Sequence, residues 1–212
     1  GGYGTITIRQ AFEKSSNVGI SKLVNQHFGS NPSKFMAYVD KVGLAKPLSL
    51  QLVGEGKPVF KTPGTKDWYG TSLPWISIGY ESELNPIHTL AFYNAVANGG
   101  KMVKPLFVKS VSNGAQTIET FEPVVIRESI ASPKTITQLQ DLLLGVVENG
   151  TAKNIKNPNY KIAGKTGTAQ KLINGDYQEV YYTSFAGYFP ADRPKYSMVV
   201  VIDSPKGIAV FG

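Results

Sequence analysis

Along the first part of the chain, apolar residues recur at the spacing of helix faces. Ile6, Ile8, Ala11 and Phe12 mark a short helix. Ser15-Ser16-Asn17 interrupts it, because these short polar side chains compete for backbone hydrogen bonds and favour caps and turns. Ile20, Leu23, Val24 and Phe28 lie on one face of a second helix that Gly29 stops. Asn31 caps a third, with Pro32 at its first position and Gly43 after Phe35, Met36, Val39 and Val42. From Leu44 to Trp75 the pattern lapses into a long loop rich in Gly and Pro, the kind that is usually functional or a small subregion of its own. Asn85-Pro86 opens the next helix, which runs to Asn98-Gly99-Gly100, and Ser132-Pro133 opens another that ends at Asn149-Gly150. Phe107 to Val111, the Asn113-Gly114 turn and Thr117 to Phe121 predict a hairpin. Lys161 to Leu172, Val180 to Phe189 and Tyr196 to Asp203 predict a three-stranded antiparallel meander, with turns at Asn174-Gly175 and Pro190 to Pro194. The apolar run Met198 to Ile202 is expected to be a buried strand. Helices first and a sheet last make the fold class α+β.

Composition narrows the function classes. The 212 residues fit one domain of ordinary size, or one and a small extra lobe. No cysteine is present, which excludes a disulfide, a thiolate nucleophile and a cysteine-based zinc site. No apolar run approaches the roughly 18 residues of a bilayer-spanning helix. The formal charge is +7, but the lysines are scattered singly, without a basic run or an aromatic-basic ladder, so no nucleic-acid partner is expected. The field still favours carboxylate-rich polymers.

Chemistry concentrates at Gly164-Lys165-Thr166-Gly167-Thr168, where β-prone residues flank a cation, two hydroxyls and two glycines. In an extended segment Lys165 falls on one face and Thr166 and Thr168 on the other, and the glycines let a ligand or another backbone come close. The run looks like a binding edge for an anion. A phosphate-binding loop, G-x-x-x-x-G-K-[ST], would need a glycine at position 159, which is Asn, and a helix after it. The other reading is the Lys-Thr-Gly element of penicillin-recognising serine enzymes, supported by Ser15-Ser16-Asn17 as an S-x-N element. A serine there can shuttle a proton, and an asparagine can both donate to and accept from a substrate amide.

Further runs extend the resemblance: Gly150-Thr151-Ala152-Lys153, Ser77-Ile78-Gly79-Tyr80, Asn85-Pro86, Ala97-Asn98-Gly99-Gly100, Gly164 to Gln170, and Phe185-Ala186-Gly187-Tyr188-Phe189-Pro190-Ala191. In this order the chain resembles the class B penicillin-binding proteins, bacterial peptidoglycan D,D-transpeptidases, and its phrasing is closest to the division-specific (septal) type. The resemblance implies a penicillin-binding transpeptidase fold, like that of serine β-lactamases, with an antiparallel sheet flanked by helices. It implies an acyl-serine mechanism on D-Ala-D-Ala stem peptides, inhibition by β-lactams, and no cofactor or metal. Ser15 and Asn17 would serve proton relay and substrate amide binding. Lys165 would supply positive potential and assist the relay. Thr166, Gly167 and Thr168 would bind substrate, the two hydroxyls holding its terminal carboxylate and the Thr168 N–H acting as an oxyanion donor. Implied partners are peptidoglycan stem peptides, β-lactam antibiotics and a cell-wall glycosyltransferase or division proteins. The implied location is the periplasmic side of the inner membrane, through an anchor outside this sequence.

One element departs from the pattern. No serine in the chain has a lysine three residues on, so the family's S-x-x-K nucleophile is missing. The expectation is that residues 1–212 are the C-terminal portion of a transpeptidase domain, truncated at both ends and inactive alone. A non-catalytic peptidoglycan- or divisome-binding module, or a D,D-carboxypeptidase or β-lactamase on the same scaffold, are the alternatives. Glu81 and Glu83 are expected in a solvated loop, His27 and His88 as ordinary helix residues. Trp68, Tyr69 and Trp75 either line a cleft or anchor the long loop.

Overall fold

The computed structural model of the chain describes residues 2–206. Helix α1 (Ile8–Glu13) begins with a capping box between Thr7 and Gln10. Helix α2 (Asn17–Phe28) is capped by Ser16, whose hydroxyl accepts from the Gly19 N–H. Helix α3 (Pro32–Lys41) starts at the Asn31-Pro32 pair. The long loop then carries a two-residue strand, β1 (Val59–Phe60), and a short helix, α4 (Ser72–Ile76). Strand β2 (Ser82–Glu83) pairs antiparallel with β1. Helix α5 (Pro86–Ala97) follows the Asn85 cap. Strand β3 (Met102–Val103), the hairpin β4 (Ser110–Asn113) and β5 (Gln116–Thr120), and β6 (Val125–Arg127) lead to helix α6 (Pro133–Glu148), which Ser132 caps. Strands β7 (Ala163–Ile173), β8 (Asp176–Phe189) and β9 (Tyr196–Asp203) form the antiparallel meander, in the order β7-β8-β9. Among the described residues no helix is long and apolar enough to cross a membrane.

The core lies where α5 and α6 meet the sheet. Ala95 and Val96 of α5, Leu143 of α6, Ala163 of β7 and Tyr188 of β8 are buried together with Met102, Ile130 and Ile136. Each fully buried side chain of the Leu or Val kind contributes about 1.5–3 kcal/mol relative to exposure. Val146, Val147 and Ala152 form a second cluster with Phe12 and Phe185 against it. That cluster ties α1 to the end of α6 and to β8, and so fixes both margins of the site described below.

Gly164 and Gly187 face each other across the β7–β8 ladder. A β-carbon on Gly164 would lie 2.6 Å from the Ala186 carbonyl oxygen and 2.9 Å from the Gly187 Cα. Both atoms are backbone and cannot swing aside. Gly164→Ala is therefore expected to lose about 1–3 kcal/mol of stability, the usual cost of overpacking. Gly56→Ala, whose β-carbon would approach nothing closer than Asn85 Nδ2 at 3.9 Å, is expected to stay within about 0.5 kcal/mol. Denaturant unfolding of the two variants checks this, and equal midpoints would refute the close-approach role of Gly164.

Three expectations need correction. The run Met198 to Ile202 is not buried: Val200, Val201 and Ile202 are 44%, 42% and 54% exposed. It forms the outer strand of the sheet, where Ser197 meets α5 through a polar contact, accepting from Asn94 Nδ2 at 2.9 Å. Glu81 is not in a solvated loop, because its carboxylate pairs with Lys61 at 3.0 Å and is largely buried, whereas Glu83 is exposed on β2. His88 lies in a helix as expected, in α5, where it is fully buried with Nε2 3.5 Å from the Glu55 carboxylate. That carboxylate also accepts the backbone N–H groups of Leu48 and Leu50, gathering the long loop around one charge. Finally, the hairpin strand begins at Ser110 rather than Phe107, because the Gln51 side chain takes the N–H groups of Phe107 and Val108.

Candidate active site

The turn between α1 and α2 is built by backbone geometry. Ser15 adopts the left-handed conformation, φ 52°. Its N–H donates to the Phe12 carbonyl at 3.1 Å, and the Ser16 N–H donates to the Ala11 carbonyl at 2.8 Å. This is the Schellman arrangement, in which the left-handed position is usually glycine. A serine there bears a strain of about 1–2 kcal/mol. Ser16 at once caps α2, which puts Asn17 at the first helical position. The turn rests on the end of α6, where the Glu13 carbonyl accepts from the Thr151 N–H at 3.1 Å. A side chain on Gly150 would collide with that same carbonyl.

Opposite the turn lies β7, whose far edge no other strand of its sheet covers among the described residues. The Gln170 N–H donates to the Tyr80 hydroxyl at 3.4 Å, and Lys165 Nζ donates to the Thr166 carbonyl at 3.0 Å. Since backbone groups alternate along an antiparallel strand, both bonds set the Thr166, Thr168 and Gln170 backbone on the open side. The Thr168 N–H therefore points away from β8. The Thr166 hydroxyl lies 2.7 Å from that of Thr151.

Turn and strand enclose a cleft of about 270 Å³ lined by Ser15, Asn17, Lys165, Thr166, Gly167 and Thr168. All six residues singled out in the sequence thus meet at one place. The alternation expected for Lys165 against the threonines is softened, because the strand presents its edge to the cleft and side chains from both faces reach it. Burial removes water from the Lys165 ammonium and lowers its pKa to about 8. Ser77, Ile78 and Tyr80 also line the cleft. The Tyr80 ring is held edge-on by Trp75 at 4.9 Å and by Tyr177 at 5.1 Å, so Trp75 anchors the long loop beside the cleft. The Ser77 to Tyr80 run was visible in the sequence, but nothing local in it said that Tyr80 would close the β7 edge. Two larger depressions, of about 750 and 730 Å³, flank the cleft. The smaller space holds the concentrated chemistry: a desolvated cation, the hydroxyls of Ser15, Thr166 and Thr168 among others, and outward backbone N–H groups suit a carboxylate and an adjoining carbonyl. Among the described residues no group of three or more His, Asp or Glu side chains could hold a metal ion.

An α+β scaffold that sets a Ser-x-Asn turn against the free edge of a Lys-Thr-Gly strand defines the penicillin-recognising class of folds. The family model for the penicillin binding protein transpeptidase domain matches residues 1–210, and the chain belongs to that family. The penicillin-binding protein PbpB of Mycolicibacterium smegmatis is 33% identical over 214 residues, covering 96% of this chain and 32% of that protein. The peptidoglycan D,D-transpeptidase FtsI of Buchnera aphidicola is 30% identical, covering 98% of this chain and 34% of its own length. Among solved structures, penicillin binding protein 3 from Mycobacterium tuberculosis in complex with aztreonam aligns with a TM-score of 0.81 at 30% identity, over 94% of this chain and 45% of that one. The chain thus spans about a third of the length of the curated relatives it matches.

Proposed function

We propose that the protein containing this chain is a peptidoglycan D,D-transpeptidase of the division-specific kind, and that residues 1–212 are the C-terminal portion of its transpeptidase domain. The observation that carries the reading is the cleft in which Ser15 and Asn17 face Lys165, Thr166, Gly167 and Thr168. Here Thr166 and Thr168 hold the terminal carboxylate of a D-Ala-D-Ala stem peptide, and Lys165 supplies the countercharge. Asn17 binds the amide of the peptide as it runs along β7. The Thr168 N–H points to where oxyanion charge develops.

The nucleophile comes from an S-x-x-K segment elsewhere in the full-length protein. Its serine oxygen attacks the penultimate carbonyl carbon, the C–N bond breaks, and D-alanine leaves with a proton relayed through Ser15. An amine from a neighbouring stem then attacks the ester, the C–O bond breaks, and the serine oxygen regains its proton. β-Lactams acylate the same serine. The location that follows is the periplasmic face of the inner membrane, alongside a cell-wall glycosyltransferase or division proteins.

A second reading has one observation in its favour: the chain contains no serine with a lysine three residues on, as suits a non-catalytic peptidoglycan- or divisome-binding module. Fluorescent penicillin separates the two. The full-length protein is expected to be labelled covalently and the 212-residue chain alone to remain unlabelled. Labelling of the chain alone would place the nucleophile within it, and absence of labelling in the full-length protein would favour the module. Release of D-alanine to water without cross-linked product would indicate a carboxypeptidase instead.

A further inference from the structure

Thr151 touches both margins of the cleft without lining it. Its N–H holds the Glu13 carbonyl at 3.1 Å, two residues before Ser15, and its hydroxyl lies 2.7 Å from that of Thr166. The neighbouring glycine and Ala152 keep it in place: a side chain on Gly150 would strike the Glu13 carbonyl, and Ala152 is 1% exposed in the second core cluster. The Thr151 backbone is therefore fixed, and only its hydroxyl proton is free to choose a direction.

That choice matters because a hydroxyl has a single hydrogen to donate. If Thr166 donates to Thr151, only lone pairs face an incoming carboxylate. If Thr151 donates to Thr166, the Thr166 hydrogen is free to enter the cleft. A bound anion selects the second order, and a chain of two hydroxyls ending on an anion is mutually polarised. We propose that Thr151 is a positioning residue for carboxylate recognition, donating to the Thr166 hydroxyl so that Thr166 donates to the terminal carboxylate of the substrate. The proposal rests on the reading of Thr166 as a carboxylate ligand.

The test uses the full-length protein and two probes, benzylpenicillin and its methyl ester, which lacks the anionic carboxylate. Thr151→Val keeps the backbone N–H to Glu13 and removes only the hydroxyl. It is expected to slow acylation by benzylpenicillin about tenfold, the upper end for one neutral hydrogen bond, and to leave the ester rate within about twofold. Thr151→Ser is expected to restore the carboxylate preference. Equal slowing with both probes would mean that Thr151 merely supports the turn, and no slowing with either would mean that its hydroxyl is idle; either result overturns the proposal. Thr166→Val separates this failure from that of the underlying reading. If Thr166→Val loses the preference and Thr151→Val keeps it, only the role of Thr151 falls. If Thr166→Val also keeps it, Thr166 is not the carboxylate ligand and both ideas fall.

Discussion

Replacing Lys165 with alanine in the full-length protein is expected to cut acylation by penicillin about 10²–10³-fold, the effect of removing one preorganised group from a site of developing charge. The fold is expected to survive. Among the described residues Lys165 makes a single side-chain hydrogen bond, to the neighbouring Thr166 carbonyl at 3.0 Å, and takes no part in the buried clusters. Its lowered pKa, about 8, comes from desolvation, so the charge is held at a cost to the folded state below that pH. Between pH 8 and the ordinary lysine value near 10.5 the unfolded chain binds a proton that the folded chain has released, and stability rises with pH across that window. Alanine removes the penalty, so activity and stability should part company. In the wild type, second-order acylation should decline on the alkaline side before the ordinary lysine value is reached, because that rate reports the ionisation of the free enzyme. Lys165→Arg should carry the decline out of the accessible range, since a guanidinium stays protonated. Near-normal acylation by the alanine variant, or an alkaline limb that arginine does not move, would remove Lys165 from the site.

The parts of the fold that sequence could announce are those fixed by neighbours in the chain. Asn31-Pro32, Asn85-Pro86 and Ser132-Pro133 place three helix starts because cap and proline act within one turn. Asn174-Gly175 places the β7–β8 turn because both residues tolerate positive φ, at 53° and 90°. What stayed hidden depends on distant partners. The two-residue strands Val59–Phe60 and Ser82–Glu83 are too short to carry a period and exist only as a pair. Glu55 organises its loop through the N–H groups of Leu48 and Leu50 and through a histidine of α5, and no spacing reveals that. The apolar stretch Met198 to Ile202 reads as a core strand, yet apolar content alone cannot say whether a strand lies inside or at the edge of a sheet. The cleft shows the same division. Ser15 and Lys165 lie far apart in the chain, and only the likeness of several motifs to one family brought them together before the fold did. The hydroxyl pair of Thr151 and Thr166 had no local signature.

Ser15→Gly is the other change with a large expected effect, and its two consequences point in opposite directions. The left-handed position at the end of α1 suits glycine, and Ser15 occupies it with φ 52°. Relief of that strain, less the extra chain entropy that glycine loses on folding, should stabilise the full-length protein by about 0.5–1 kcal/mol. At the size of this domain each kcal/mol raises the unfolding temperature by about 2–4 °C. The same change removes the hydroxyl at the mouth of the cleft, and acylation should fall about 10²–10⁴-fold, the usual contribution of a positioned proton-transfer group. Asn17→Ala offers no such gain, because Asn17 sits in an ordinary helical position at the start of α2. A protein optimised for stability alone would place glycine at position 15, so the strained serine is best understood as held there by its chemistry. Calorimetry and acylation kinetics on the same preparation decide the matter. A Ser15→Gly protein that is less stable than the wild type would refute the strain argument, and one that acylates at the wild-type rate would show that the hydroxyl has no part in the reaction.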